Sequence, residues 1–93
     1  MARWRWAITW DNAVPRRNSD PLRKALQGLG HVVYPRTKTS ALLAPRAGVK
    51  SVDLRNAIVR HLHWRDGNAF YVNLRTGQAF QHGAHTRRRW KRM

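Results

Sequence analysis

Four side chains in this sequence are acidic, and all are aspartates: Asp11, Asp20, Asp53 and Asp66. Asp11 is the most suggestively placed. It closes the alternating run Arg3-Trp4-Arg5-Trp6-Ala7-Ile8-Thr9-Trp10-Asp11 and is followed, after a short loop, by Arg16 and Arg17. A carboxylate at a strand end, beside cations that could hold a phosphate, is the minimum for metal-assisted phosphodiester hydrolysis. A magnesium or manganese site takes one or two carboxylates together with phosphate oxygens and water. With one such acid per chain, Asp11 serves catalysis only if a dimer brings two copies together. Its more ordinary role is neutralising Arg16 or Arg17, or capping the loop. Asp20 and Asp53 fall where helices begin, and Asp66 precedes a turn glycine, so none of them completes the site. The expectation is no cofactor, with Mg or Mn bound at Asp11 only if the chain is a nuclease.

The histidines offer less. His61 and His63 flank Leu62, and His82 and His85 are three apart, but there is no cysteine. With so few acids the ligand count falls short of a zinc site. No nucleophile elbow, phosphate-cradling glycine loop or serine triad is present. The missing cysteines also exclude a disulfide framework, which suits a reducing cytosol.

Charge is the strongest feature. Nineteen basic residues stand against four acids, for a net charge of +15 and a pI near 12.0. Fifteen of the nineteen are arginine, whose planar fork of donors matches phosphate oxygens. A small domain with this charge repels itself and usually works against a polyanion. An arginine-rich proteome would explain arginine over lysine, but not the scarcity of acids. Nucleic acid, DNA or RNA, is therefore the expected partner. The candidate contacts are Arg16, Arg17, Arg23, Lys24, Arg36 and Lys38, with Arg87, Arg88, Arg89, Lys91 and Arg92 near the C-terminus. Trp90 among these last could stack on a base. Such contacts give salt-dependent, weakly sequence-specific affinity.

These residues must be positioned by elements, and the pattern of apolar residues says which. The first run alternates with period two and predicts a strand with Trp4, Trp6, Ile8 and Trp10 on one face. Ser19 or Asp20 caps a helix with Pro21 in its first turn, a stripe of Leu22, Ala25, Leu26 and Leu29, and an end bracketed by Gly28 and Gly30. His31 to Tyr34 reads as an extended segment that Pro35 confines to a sheet edge. A bend near residues 38–40 leads into a buried strand, Ser40 to Ala44. Ser51 caps a second helix with a stripe of Leu54, Ile58, His61 and Leu62 and Asp53 in its first turn. Asn68 to Leu74 predicts a strand with Phe70, Val72 and Leu74 on one face, and residues 78–81 a short last one.

Strand, helix, strand, strand, helix, strand is the order of an α+β, ferredoxin-like split βαβ domain with an antiparallel sheet and a short fifth strand. Both helices lie on one face, and the first and third strands are central. The tryptophan load on the first strand requires a covering layer. The uncovered face is then solvated, binds something, or pairs with another copy. Residues 1–81 form this single domain, and residues 82–93 form a basic, flexible tail. A chain of 93 residues buries only about 60% of its unfolded surface, so dimerisation is a natural way to bury more. The longest apolar run, Ala41 to Ala44, is too short to cross a membrane, and the arginine-laced N-terminus does not look like a signal peptide. A cytoplasmic protein without membrane partners is expected.

Several of these features together resemble a known group. Thr9-Trp10-Asp11 with Arg16-Arg17, then Asp20-Pro21-Leu22-Arg23-Lys24-Ala25-Leu26 with Gly28 and Gly30, then Asn68-Ala69-Phe70-Tyr71-Val72 and Ala79-Phe80, look like the small CRISPR-associated adaptation protein family. Its superfamily also holds the virulence-associated protein D toxins and the SinR-like proteins. The resemblance covers residues 4–81 and lies in topology and spacing. It implies a two-fold dimer across the sheets, with the fifth strand crossing to the partner's sheet. It implies either a structural nucleic-acid-binding subunit or a metal-dependent nuclease using Asp11 from each subunit. The segment from Tyr34 to Ser40 is shorter and more basic than that family's pattern.

Three functions follow from the whole sequence. The first is a dimeric nucleic-acid-binding protein gripping the phosphate backbone, as a subunit of a nucleoprotein complex. The alternatives are a metal-dependent endonuclease, and a protein-interaction module, antitoxin or inhibitor, that meets an acidic partner.

Overall fold

The computed structural model describes residues 4–11, 19–35, 39–62, 67–83 and 91–92, with Lys91 and Arg92 described by their backbone. The strands are β1 (Trp6–Asp11), β2 (Gly30–Val33), β3 (Ser40–Pro45), β4 (Asn68–Asn73), β5 (Ala79–Gly83) and β6 (Lys91–Arg92). Helix α1 (Asp20–Leu29) joins β1 to β2, and helix α2 (Ser51–Arg60) precedes β4. The strands form one antiparallel sheet in the order β2-β3-β1-β4-β5-β6. The molecule is α+β, with β1 and β3 interior and β2 at an edge, as the proline after it requires. Among the described residues no helix is long and apolar enough to cross a membrane.

Alternation along each strand divides the sheet into two faces. Trp6, Ile8 and Trp10 of β1 join Ala41, Leu43, Ala69 and Tyr71 on the buried face. Leu22 and Leu26 of α1, Leu54 and Ile58 of α2, and Leu62 just beyond it complete this core. Both helices thus bury their apolar stripes on the tryptophan face, removing large aromatic areas from water. Trp6 meets Tyr71 edge-on at 5.0 Å between centroids, and Tyr71 stacks on Phe80 at 5.0 Å.

Trp4 departs from the predicted face. The Arg5 N–H donates to the Leu43 carbonyl at 2.9 Å, although Leu43 is the register partner of Trp6. Arg5, just before β1, and Trp6 therefore both meet Leu43 of β3, a bulge that breaks the alternation before Trp6. Trp4 stacks instead on His31, 5.5 Å away. Leu74 also leaves its predicted place. Strand β4 ends at Asn73, whose Oδ1 accepts from the Arg75 and Thr76 amides, so Leu74 lies exposed in a turn.

Helix α1 begins as expected at Ser19, but the Ser19 hydroxyl makes no cap. It accepts the Trp10 indole N–H at 2.9 Å and so ties the helix start to the end of β1. Helix α2 starts one residue earlier than Ser51 implies. Lys50 is the N-cap, and the Asp53 carboxylate accepts its N–H at 2.8 Å. Strand β5 continues through Gly83, and Lys91–Arg92 pair with Phe80 and Gln81. Strand pairing thus reaches past residue 81 into the segment expected as a tail, while residues 84–90 lie outside the described residues.

Candidate nucleic-acid interface

Strand direction gathers one set of element ends. Strand β1 finishes at Asp11, α1 begins beside it, β2 and β3 meet there around Tyr34 and Thr39, α2 finishes there, and β4 starts there. The described residues bordering segments 12–18, 36–38, 63–66 and 84–90 therefore share one end of the sheet. Arg16, Arg17, Arg36, Lys38, Arg87, Arg88, Arg89 and Trp90 themselves lie outside the described residues.

Arg23 and Lys24 are on α1 at this end. The Arg23 guanidinium donates to Asp20 at 3.2 Å and lies 5.4 Å from the centroid of the Tyr34 ring. Tyr34 is held in turn: its hydroxyl donates to the Arg23 carbonyl at 3.2 Å and accepts from the Gln27 amide at 3.1 Å. A phosphate at Arg23 must share it with Asp20, whereas Lys24 projects into solvent. Composition gave no reason to single out Tyr34; the clue was its position just before Pro35. Arg46, Lys50 and Arg75 lie at the opposite end, exposed, and Arg55 and Arg60 are exposed on α2. Arg46 is anchored by a guanidinium bond to the Gly28 carbonyl.

Asp11 is exposed at the end of β1, opposite Asn68. It borders an open depression of about 300 Å³ lined by Thr9, Trp10, Asp11, Asn68, Ala69, Phe70 and Gln81. Among the described residues no ion pair or hydrogen bond engages the Asp11 carboxylate. The lining offers one carboxylate, one hydroxyl and two carboxamides, a donor set short of what a catalytic Mg²⁺ or Mn²⁺ needs from one chain. Among the described residues no cluster of three or more His, Cys, Asp or Glu side chains forms. Asp20 and Asp53 are occupied at helix starts. Burial holds His82 below the usual imidazole value, and burial with the neighbouring Arg60 does the same for His61. Neither adds cationic charge near neutral pH.

Among the described residues, no helix packs on the remaining sheet face. The register brings Val33, Leu42, Ala7, Val72 and Ala79 into one row across five strands. A second row reads Ser40, Thr9, Phe70 and Gln81. A third brings Asp11, Asn68 and Gly83 together. The β5–β6 register extends the second row to Lys91, a cation at the rim of this face.

In comparisons with protein-family models, curated proteins and solved structures, nothing matches this chain.

Proposed function

We propose that this chain is a basic nucleic-acid-binding protein, working as a dimer and gripping the phosphate backbone as part of a larger nucleoprotein assembly. The observation that carries the reading is the net charge of +15, built mainly from arginine. Lys24, Arg46, Lys50, Arg55, Arg60 and Arg75 are exposed, while the ion pair found among the described residues is Arg23–Asp20. Charge left uncompensated in this way favours a polyanion and releases its counterions on binding. The sheet order β2-β3-β1-β4, with α1 and α2 on one face, supports a ferredoxin-like split βαβ fold. That order and the strand-end Asp11 are also what support kinship with the small CRISPR-associated adaptation proteins. A second copy would enlarge a core that is small for one chain of 93 residues.

The Asp11 carboxylate, exposed and without a partner among the described residues, favours one second reading, a metal-dependent nuclease with one Asp11 from each subunit. Equilibrium binding to labelled single- and double-stranded DNA and RNA, across a salt series with and without Mn²⁺, tests both. The expected result is affinity that falls linearly in log salt, with substrate intact. Cleavage that requires metal and is lost in Asp11→Ala would replace the binding protein with the nuclease. Absence of binding at low salt would transfer the charge to an acidic protein partner.

A further inference from the structure

The depression where β1 ends and β4 begins combines a carboxylate, two carboxamides and a hydroxyl with an aromatic ring. Thr9 and Phe70 are register partners, as are Phe70 and Gln81, and the next row is Asp11, Asn68 and Gly83. Thr9, Asp11, Asn68, Phe70 and Gln81 all line the 300 Å³ space. The Phe70 side chain is in part presented to solvent, with 37% of the residue exposed. A volume near 300 Å³ has room for about ten waters, or for one flat heterocycle.

The polar groups select among occupants. A carboxylate accepts hydrogen bonds and donates none, so Asp11 repels a phosphate and suits a group with two adjacent N–H donors. The Watson–Crick edge of guanine presents such a pair, N1–H beside the exocyclic amine. Phe70 supplies a ring on which a base can stack, and stacking tolerates any base. Thr9 and Gln81 supply a hydroxyl and a carboxamide for the remaining edge. A base reaches this place only if it is unstacked, as in a single strand, with its Watson–Crick edge exposed. Arginines elsewhere on the molecule would meanwhile hold the flanking phosphates.

We infer that this depression is a base-binding pocket for single-stranded nucleic acid, with Phe70 as the stacking platform and Asp11 as the acceptor that favours guanine. The inference rests on the nucleic-acid reading and deepens it. Phosphate contacts set overall affinity, and this pocket sets strand type and base preference.

The test uses the full chain and otherwise abasic deoxyribose-phosphate strands of about 15 nucleotides, within the usual site size of single-strand binders. Each carries one central guanine, adenine or abasic site, and a duplex of the same length is the reference. Wild-type protein is expected to prefer the guanine strand over the abasic strand. Phe70→Leu keeps the apolar character and removes the ring. It is expected to weaken single-strand binding by about 5- to 100-fold, the effect of losing one stacked base. Duplex affinity and the salt slope should stay unchanged, and Phe70→Tyr should restore single-strand binding. Asp11→Asn should abolish the guanine-over-adenine preference while retaining the abasic discrimination. Circular dichroism and thermal melting verify that each variant is folded.

Equal single-strand affinity for wild type and Phe70→Leu, with a steep salt slope in both, would overturn the pocket and leave the phosphate reading standing. No binding by wild type to any strand at low salt would overturn both. A Phe70→Leu variant that changes from dimer to monomer by light scattering, with unaltered single-strand binding, would assign this face to a second copy and overturn the pocket.

Discussion

Trp6 is a large aromatic side chain at the centre of the core cluster. It lies 5% exposed beneath the helices, 5.0 Å from Tyr71 and 6.4 Å from Phe80 between ring centroids. Trp6→Ala is expected to cost about 3–5 kcal/mol, since a truncated core aromatic loses transfer energy and leaves a cavity. Against a total of about 5–15 kcal/mol for a typical domain, most of the folded population is then at risk. The midpoint of chemical denaturation should fall sharply with an unchanged slope; a loss below about 1 kcal/mol would mean that Trp6 is not a core residue. Period-two spacing located Trp6, Ile8 and Trp10 because burial follows alternation wherever the strand is regular. It misplaced Trp4 because a bulge is a hydrogen-bonding choice at Arg5 and Leu43, which the residue types do not encode. The Trp10–Ser19 bond was hidden for a related reason. Serine before a helix reads as a cap, and only the approach of β1 turns its hydroxyl toward the indole.

Elements were more legible than side-chain partners. Both helices, their apolar stripes and the edge position of β2 follow from period, caps and the proline. Helix propensity predicts that the first helix ends on a glycine, but the physical need for Gly30 is different. Its φ of 164° is extended backbone, and it is already the first residue of β2. A Cβ there would strike the Ala44 carbonyl oxygen and come within 2.7 Å of Pro45 Cα and 2.9 Å of the Arg46 amide nitrogen. All three are backbone atoms, fixed by the β2–β3 pairing and by the Arg46 N–H bond to the Leu29 carbonyl at 2.8 Å. Gly28, two residues earlier in the helix, would place a Cβ in open space. The two substitutions should therefore act in opposite directions. Gly30→Ala is expected to destabilise by about 1–3 kcal/mol through overpacking, and Gly28→Ala to stabilise by up to about 1 kcal/mol through helix propensity. Thermal melting of the two variants in parallel checks this. Equal shifts of the same sign would contradict the close approach of β2 to the β3–α2 connection.

At the scale of the whole molecule, charge dominates, and it was legible from composition alone. What composition did not reveal is that the depression on the open face pairs Asp11 with Phe70, residues 59 positions apart, because only the β1–β4 register brings them together. The C-terminal cations pose the remaining question at this scale. Arg87, Arg88, Arg89, Lys91 and Arg92 make up about a quarter of the 19 basic residues, and Lys91 and Arg92 pair through their backbone with β5. If these side chains neutralise phosphates, deleting residues 87–93 should reduce the slope of log affinity against log salt by about 0.7–0.9 for each phosphate left without its cation, and so by up to about 4. The weakening should be similar for all sequences, because phosphate contacts carry no base information. The same deletion removes β6, so a second variant is needed to separate charge from sheet pairing. Replacing Lys91 and Arg92 with glutamine keeps a backbone able to pair with Phe80 and Gln81 while removing two cations. A slope that falls by about 2 in this variant, with melting temperature unchanged, would assign the effect to charge at residues 91–92. A slope unaffected by either change would mean that these cations do not meet the polyanion and that the rest of the molecule carries the binding.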